Sequence, residues 1–402
     1  MKIELSPLIR TESFNRDPYP VYRELREAGP VVWDEGSQTV GLFGYDVVAR
    51  ALRDPRLKAA RSDLFLSWLT PERQDAFAAL AESQRNMMLF SDPPDHTRLR
   101  GLVNKAFTPR VVDVMRGRIE TIVDDVIRPL EADAEFDVID TIAYPLPVLV
   151  ILDLLGVPGT DRDQLKRLSD AFAAFIGGSA GDPGVPEAAN AGILELNAYF
   201  REAIARKRRK PGPDLISGLI AAEEQGAVLS EDEMLATCVI ILVAGHETTT
   251  NLIGNGLLAL LRDKRSRGAF LASATPRVAI DELLRYDSPV QITSRLVSEP
   301  MRLGGYDLAP GSFVDIWLGA ANRDPSQFPD PDRLDLARVE NRHLAFGYGI
   351  HFCVGAPLAR LEGEIALTAL LRRFPALRLA NGPNAYRGSL VFRALKRLDV
   401  SP

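Results

Sequence analysis

Phe346-Gly347-Tyr348-Gly349-Ile350-His351-Phe352-Cys353-Val354-Gly355-Ala356-Pro357-Leu358-Ala359-Arg360 holds one of only 2 cysteines in a chain of 402 residues. Glycines at 347 and 349 open backbone conformations closed to other residues and let a flat ligand come close to the main chain. Pro357, followed by apolar residues at three-to-four spacing, reads as the first turn of a helix. Cys353 is therefore expected at a helix N-terminus. Unpaired N–H groups and the positive end of the helix dipole favour a thiolate there, and the thiolate is the form that binds a metal.

A single cysteine is by default a small buried hydrophobe. Cys238, between Thr237 and Val239 in an apolar stretch, is read that way. For Cys353 the offsets decide otherwise. Phe346, Gly347, Gly349, His351, Cys353, Gly355 and Leu358-Ala359-Arg360 stand at the spacing of the haem-binding signature of the cytochrome P450 family, which the stretch closely resembles. The resemblance implies that Cys353 is the axial ligand of a haem iron, bordered by Phe346, His351 and Gly355, and that its electron donation favours O–O cleavage.

The chain is 46% hydrophobic, enough for a large core, and its net charge of −6 offers no global basic field for nucleic acid. Two cysteines make no disulfide framework, so a cytoplasmic location is expected. Met1-Lys2-Ile3-Glu4-Leu5-Ser6-Pro7 has charges and a proline where a targeting segment needs an apolar run. The purest apolar stretch, Cys238 to Gly245, is far short of the about 20 residues that span a membrane. A soluble monomer with no membrane anchor is expected.

Helical periodicity dominates, over Tyr19 to Ala28, Pro109 to Leu130, Ile193 to Arg209, Glu231 to Leu261, Pro276 to Arg285 and Pro357 to Phe374. Strand patterns are few: Val31 to Trp33, Thr39 to Phe43, Arg295 to Leu303 and Phe313 to Trp317. The fold class is mainly α with a small β-rich part. No Gly/Pro-rich segment is long enough to separate two cores, so residues 1–402 are read as one domain.

Within the longest helix, Ala244-Gly245-His246-Glu247-Thr248-Thr249-Thr250 puts a glycine, charges and three β-branched threonines where an apolar helix gains nothing from them. An isolated Thr there would merely bond the carbonyl one turn back. The run resembles the family's oxygen-activation motif. That implies that Ala244 and Gly245 leave room for O₂ beside the haem, while Glu247 and Thr248 organise water that delivers protons.

Glu282 and Arg285, at i and i+3, face one side of a helix. They match the family's Glu-x-x-Arg pair, which implies a buried structural pair tied to the segment from Asn322-Arg323-Asp324-Pro325 to Arg338. His96, Arg100, Arg295 and His351 form a cationic set suited to two haem propionates, since buried carboxylates need charge-assisted donors. Of 4 histidines, His96, His246 and His351 fall in these motifs. His343 has no evident role, and no paired-ligand spacing suggests zinc or non-haem iron.

The resemblance covers nearly the whole chain. It implies the single-domain cytochrome P450 fold of the bacterial, soluble, ferredoxin-dependent type, with haem b between the Thr248 helix and the Cys353 loop. The implied activity is O₂-dependent monooxygenation of a hydrophobic small molecule. No G-x-G-x-x-G fingerprint or reductase domain is present, so NAD(P)H would act only through a separate ferredoxin or flavodoxin and its reductase. Arg98, Lys105, Arg110, Arg342, Arg372 and Arg373 are candidates for docking that partner. By analogy, the pocket is lined by the loop between Leu57 and Phe90, and by Phe90, Ile240, Ile241, Val243, Ala244, Val290, Ile292, Val391 and Phe392. Two alternatives stay open: a peroxide-driven peroxygenase, which needs no acid and alcohol, and a non-catalytic haem protein, which needs no apolar pocket.

Overall fold

The computed structural model describes residues 2–62, 70–107, 109–131, 134–179, 182–224, 229–380, 382 and 384–402. Part of the expected pocket loop, 63–69, lies outside the described residues, as does the side chain of Arg110.

The longer helices, in chain order, are α1 (Tyr19–Ala28), α2 (Ala78–Arg85), α3 (Asp95–Ala106), α4 (Pro109–Ile127), α5 (Pro145–Leu155) and α6 (Arg162–Ala174). They continue with α7 (Val185–Arg209), α8 (Leu215–Glu224), α9 (Glu231–Arg262), α10 (Lys264–Ala272), α11 (Pro276–Tyr286) and α12 (Ala356–Arg373). The strands are short: β1 (Lys2–Ile3), β2 (Val31–Asp34), β3 (Thr39–Leu42), β4 (Leu57–Lys58), β5 (Phe136–Asp137) and β6 (Thr293–Val297). After them come β7 (Met301–Leu303), β8 (Tyr306–Leu308), β9 (Phe313–Ile316), β10 (Arg378–Leu379) and β11 (Asp399–Ser401). Helices dominate, as the periodicity predicts. The stretch from Arg295 to Leu303, expected as one strand, is divided between β6 and β7 by Ser298-Glu299-Pro300, where Pro300 brings no N–H to a ladder.

Contacts group the chain into two units: Met1–Leu57, Glu120–Leu146 and Thr248–Pro402 form one, Lys58–Ile119 and Pro147–Glu247 the other. In the first, strands order as β1-β2-β3-β9-β6-β4; burial alternates along β9 but is nearly continuous along β2 and β3, with Val40, Leu42, Val314 and Ile316 fully enclosed. Trp317, just after β9, stacks on Phe43 at 5.3 Å and meets the edges of Tyr22 and Phe14, which anchors α1 and the N-terminal segment. β7 and β8 are joined by Gly304-Gly305 with φ of 59° and 92°, the left-handed pair that a two-residue hairpin turn requires.

In the second unit, α6 runs along α7 and α3 packs on α8. Here α5 comes so close to α9 that a Cβ on Gly245 would lie 2.4 Å from Ile151 Cδ1. In the first unit the C-terminal half of α9 makes a similar approach through Gly256, whose Cβ would meet Leu283 Cδ1 of α11 at 3.2 Å and Leu367 Cδ1 of α12 at 3.4 Å. Helix α9 is long and apolar enough to cross a bilayer by composition. Yet 78% of its most apolar window is buried, so that apolarity serves the protein core.

Candidate active site

Gly347 and Gly349 have φ of 70° and 75°, so each occupies the left-handed region that side chains disfavour. Gly349 is doubly constrained, because a Cβ there would sit 2.8 Å from the Leu52 carbonyl. On Gly347 a Cβ would meet nothing nearer than the His351 carbonyl at 3.8 Å, which leaves that side of the loop open to a flat group. The turn closes when Cys353 donates its N–H to the Phe346 carbonyl at 3.0 Å. Gly355 then caps α12, and the Cys353 Sγ, outside any disulfide and half-buried, lies beside the N-terminus of that helix. Cys238 is the opposite case: wholly buried, its thiol is pushed up to about 12 and stays neutral.

Behind the loop, Arg285 donates to Glu282 through Nε at 2.7 Å and Nη2 at 2.8 Å, with both side chains fully buried. The pair leaves no buried polar valence idle. Arg285 also reaches the carbonyls of Asn322, Pro331 and Arg333, while Glu282 accepts from the Asp335 N–H, Arg338 and Asn341. The adjacent Asp281 takes His343 Nε2 at 3.1 Å and Arg360 Nε at 2.6 Å, and so links α11, the segment before the loop and α12. Burial would raise the Asp281 pKa, but the His343 hydrogen bond and the Arg360 charge and hydrogen bond hold it below the usual carboxylate value.

On α9, Ala244 is exposed and Thr248 half-buried one turn later, while Leu242, Val243, Thr249 and Thr250 are buried. Glu247 is buried at 5% exposure. Two expectations need correction. Gly245 lacks a side chain because Ile151 occupies that space, so its smallness serves helix packing. His246, expected among the haem-facing motifs, donates Nδ1 to the Leu242 carbonyl at 2.8 Å and turns Nε2 toward Asp170 of α6 at 3.6 Å. Asp170 also takes Lys166 at 3.0 Å.

His96 and Arg100 share one face of α3, and His96 is 2% exposed; burial and then the Arg100 charge push its pKa down. Arg295, nearly buried, donates to Thr293 Oγ1 at 3.1 Å and the Ser294 carbonyl at 2.9 Å. His351 ends a short 3₁₀ turn two residues before Cys353. Of the expected pocket residues, Phe90, Ile240 and Val243 are buried in the second unit. Ile292 is a correction: it belongs to the core around Tyr22 and Trp317, against which Val391 packs, while Val290 packs against the sheet core. Val290 also bridges Phe392. Among the docking candidates, Arg98 is bound by Glu233 and Asp95 and offers no spare charge. Lys105, Arg342, Arg372 and Arg373 are exposed.

Sequence reading missed the Asp281–His343–Arg360 cluster and the Asp170 partner of His246. Neither has a local signal: the Asp281 contacts join residues 62 and 79 positions apart.

A haem suits this set of donors. The half-buried Cys353 thiol at a helix N-terminus is a soft iron ligand, Gly347 keeps the loop open to a flat ring, and the nearly buried Arg295 of the same unit suits an anionic propionate.

The sequence profile of the family described as Cytochrome P450 matches residues 191–267 and 277–393. Cytochrome P450 107B1 of Saccharopolyspora erythraea is 44% identical, over 97% of this chain and 96% of its own length. The cytochrome P450 monooxygenase PikC of Streptomyces venezuelae is 41% identical, over 97% and 92%. Among solved structures, P450BioI in complex with a hexadec-9Z-enoic acid ligated acyl carrier protein superposes with a TM-score of 0.89 at 36% identity, covering 97% of this chain and 99% of that one. The fold is that of the haem-dependent monooxygenases. The chain belongs to the cytochrome P450 family, whose members use haem iron and O₂, and it is an oxidoreductase of the monooxygenase class.

Proposed function

We propose that this P450 binds haem b through Cys353 and inserts an oxygen atom from O₂ into a hydrophobic small molecule, as a soluble, cytoplasmic, monomeric enzyme of one domain. The observation that carries the reading is the Cys353 loop, closed onto the N-terminus of α12 by the Cys353 to Phe346 hydrogen bond of 3.0 Å. Bound there, haem with a thiolate ligand supplies O₂ binding and O–O cleavage. The remaining work falls to the chain. His96, Arg100, Arg295 and His351 hold the propionates by charge-assisted hydrogen bonds. Thr248, on the open face of α9, orders water, and Glu247 beside it passes protons along that water. Retention of both residues supports O₂ over peroxide as the oxidant.

Phe90, Ile240 and Val243 supply an apolar wall, which holds substrate by burial and excludes bulk water. A fatty acyl, terpenoid, steroid or polyketide substrate fits such a wall, and the acyl carrier complex of P450BioI supports that class. Electrons come from a ferredoxin or flavodoxin and its reductase, with NAD(P)H acting only through them. On the first unit a surface groove of about 620 Å³ is lined by Arg50, Arg53, Arg342, Tyr348 and Phe352. That cationic and aromatic lining supports docking of an acidic electron carrier.

The test is the spectrum of the reduced, CO-bound protein. Thiolate ligation gives a long-wavelength Soret band, lost in Cys353→Ser. A band that survives the substitution overturns the assignment. Thr248→Ala should then divert electrons to peroxide while leaving peroxide-driven turnover intact; unchanged coupling to O₂ would favour the peroxygenase alternative.

A further inference from the structure

Phe346 contacts two side chains, one from α12 and one from the segment before the loop. The Arg360 guanidinium carbon sits 4.6 Å from the Phe346 ring centroid, and the His343 ring is 5.7 Å from it at 50°. Both are fastened to one oxygen. Asp281 Oδ1 accepts from Arg360 Nε at 2.6 Å and from His343 Nε2 at 3.1 Å. His343 Nδ1 accepts the Ala345 N–H at 3.2 Å, so the imidazole proton is held on Nε2, facing the carboxylate. The side chains of Arg360, Asp281 and His343 are 14%, 21% and 4% exposed, so the Arg360 and Asp281 charges are only weakly screened by solvent. Phe346 in turn takes the Cys353 N–H on its carbonyl. A cation and an imidazole, both fastened to the Asp281 carboxylate, are thus packed against the residue that closes the cysteine loop.

We propose that Asp281, His343 and Arg360 are positioning residues for the Cys353 thiolate, and that the balance of the Asp281 and Arg360 charges sets the reduction potential of the iron bound there. The proposal rests on Cys353 being the axial ligand. Reduction adds one negative charge to the iron and thiolate, so a neighbouring cation favours the reduced state and a neighbouring anion opposes it. As built, Arg360 and Asp281 offset each other. Removing either alone leaves the other unbalanced beside the loop, and the two removals act with opposite sign.

The experiment measures the ferric/ferrous midpoint potential of the holoprotein by spectroelectrochemistry. Arg360→Gln should lower the potential and Asp281→Asn should raise it, each shifting the ferrous-to-ferric ratio at fixed potential by several-fold. Arg360→Lys, which keeps the charge, should stay near the wild-type value. A purely structural role predicts shifts of the same sign, or none, in the two neutralised variants, and either result overturns the proposal. If Asp281→Asn yields no folded holoprotein, the comparison of Arg360→Gln with Arg360→Lys decides: equal potentials overturn it. Failure of the underlying ligand assignment shows differently, as a wild-type protein that lacks the thiolate Soret band.

Discussion

Glu282 and Arg285 meet through two hydrogen bonds of 2.7 and 2.8 Å with neither side chain reaching solvent. Water cannot replace either partner. Truncating one leaves a buried charge facing carbonyls or amides that it was placed to satisfy, a loss of about 3–5 kcal/mol. Glu282→Ala should therefore fold poorly and retain little haem, with a matching drop in the denaturant midpoint. A variant of near wild-type midpoint would show that the web of Asp335, Arg338 and Asn341 stands without its centre.

Gly245 and Ile151 should show coupled energetics. Alanine at an ordinary helical glycine gains about 1 kcal/mol, but here the new Cβ would lie 2.4 Å from Ile151 Cδ1 and overpacking costs about 1–3 kcal/mol. Gly245→Ala is expected to destabilise the wild-type background and to stabilise an Ile151→Ala background. Urea unfolding of the four-member cycle measures the sign. Equal effects in both backgrounds would mean that Gly245 is kept for another reason.

Acid stability should depend on Asp170. Burial raises its pKa, yet the nearby His246 imidazole and the Lys166 hydrogen bond and charge outweigh that and hold it below the ordinary 3.8. A depressed carboxylate binds fewer protons folded than unfolded, so its stabilisation is full above the unfolded value and fades as pH falls through the folded one. Asp170→Asn should flatten the stability curve below about pH 4. An acid limb of unchanged slope would rule out this contribution.

Charge reversal should separate the cations near the proposed docking groove from those already paired. Arg342→Glu and Arg53→Glu are expected to slow reduction by an acidic ferredoxin on the order of tenfold at low ionic strength, with the difference closing in high salt. Stopped-flow reduction under CO reports the rate. Arg98, held by Glu233 and Asp95, should matter little to this rate when changed to Lys. Salt-independent reduction would remove the electrostatic account.

Much of the site was legible in the chain because its parts are local. Left-handed glycines at 347 and 349, the proline in the first turn of α12 and the i, i+3 spacing of Glu282 and Arg285 are short-range rules, and each is read within a few residues. Periodicity likewise located α1, α9, α11 and α12 to within about a turn.

What the chain could not disclose is which distant groups share a neighbour. Ile292 looks like a pocket residue by position and is core by contact; Arg98 looks like a free cation and is paired with Glu233. Asp281, His343 and Arg360 are ordinary polar residues until tertiary packing brings residues 62 and 79 positions apart onto one carboxylate oxygen. Local sequence placed Cys353 at a helix N-terminus because backbone geometry acts over a few residues. The surroundings of that cysteine were decided by tertiary structure alone, since burial and Coulomb interactions depend on distance in space and carry no trace along the chain.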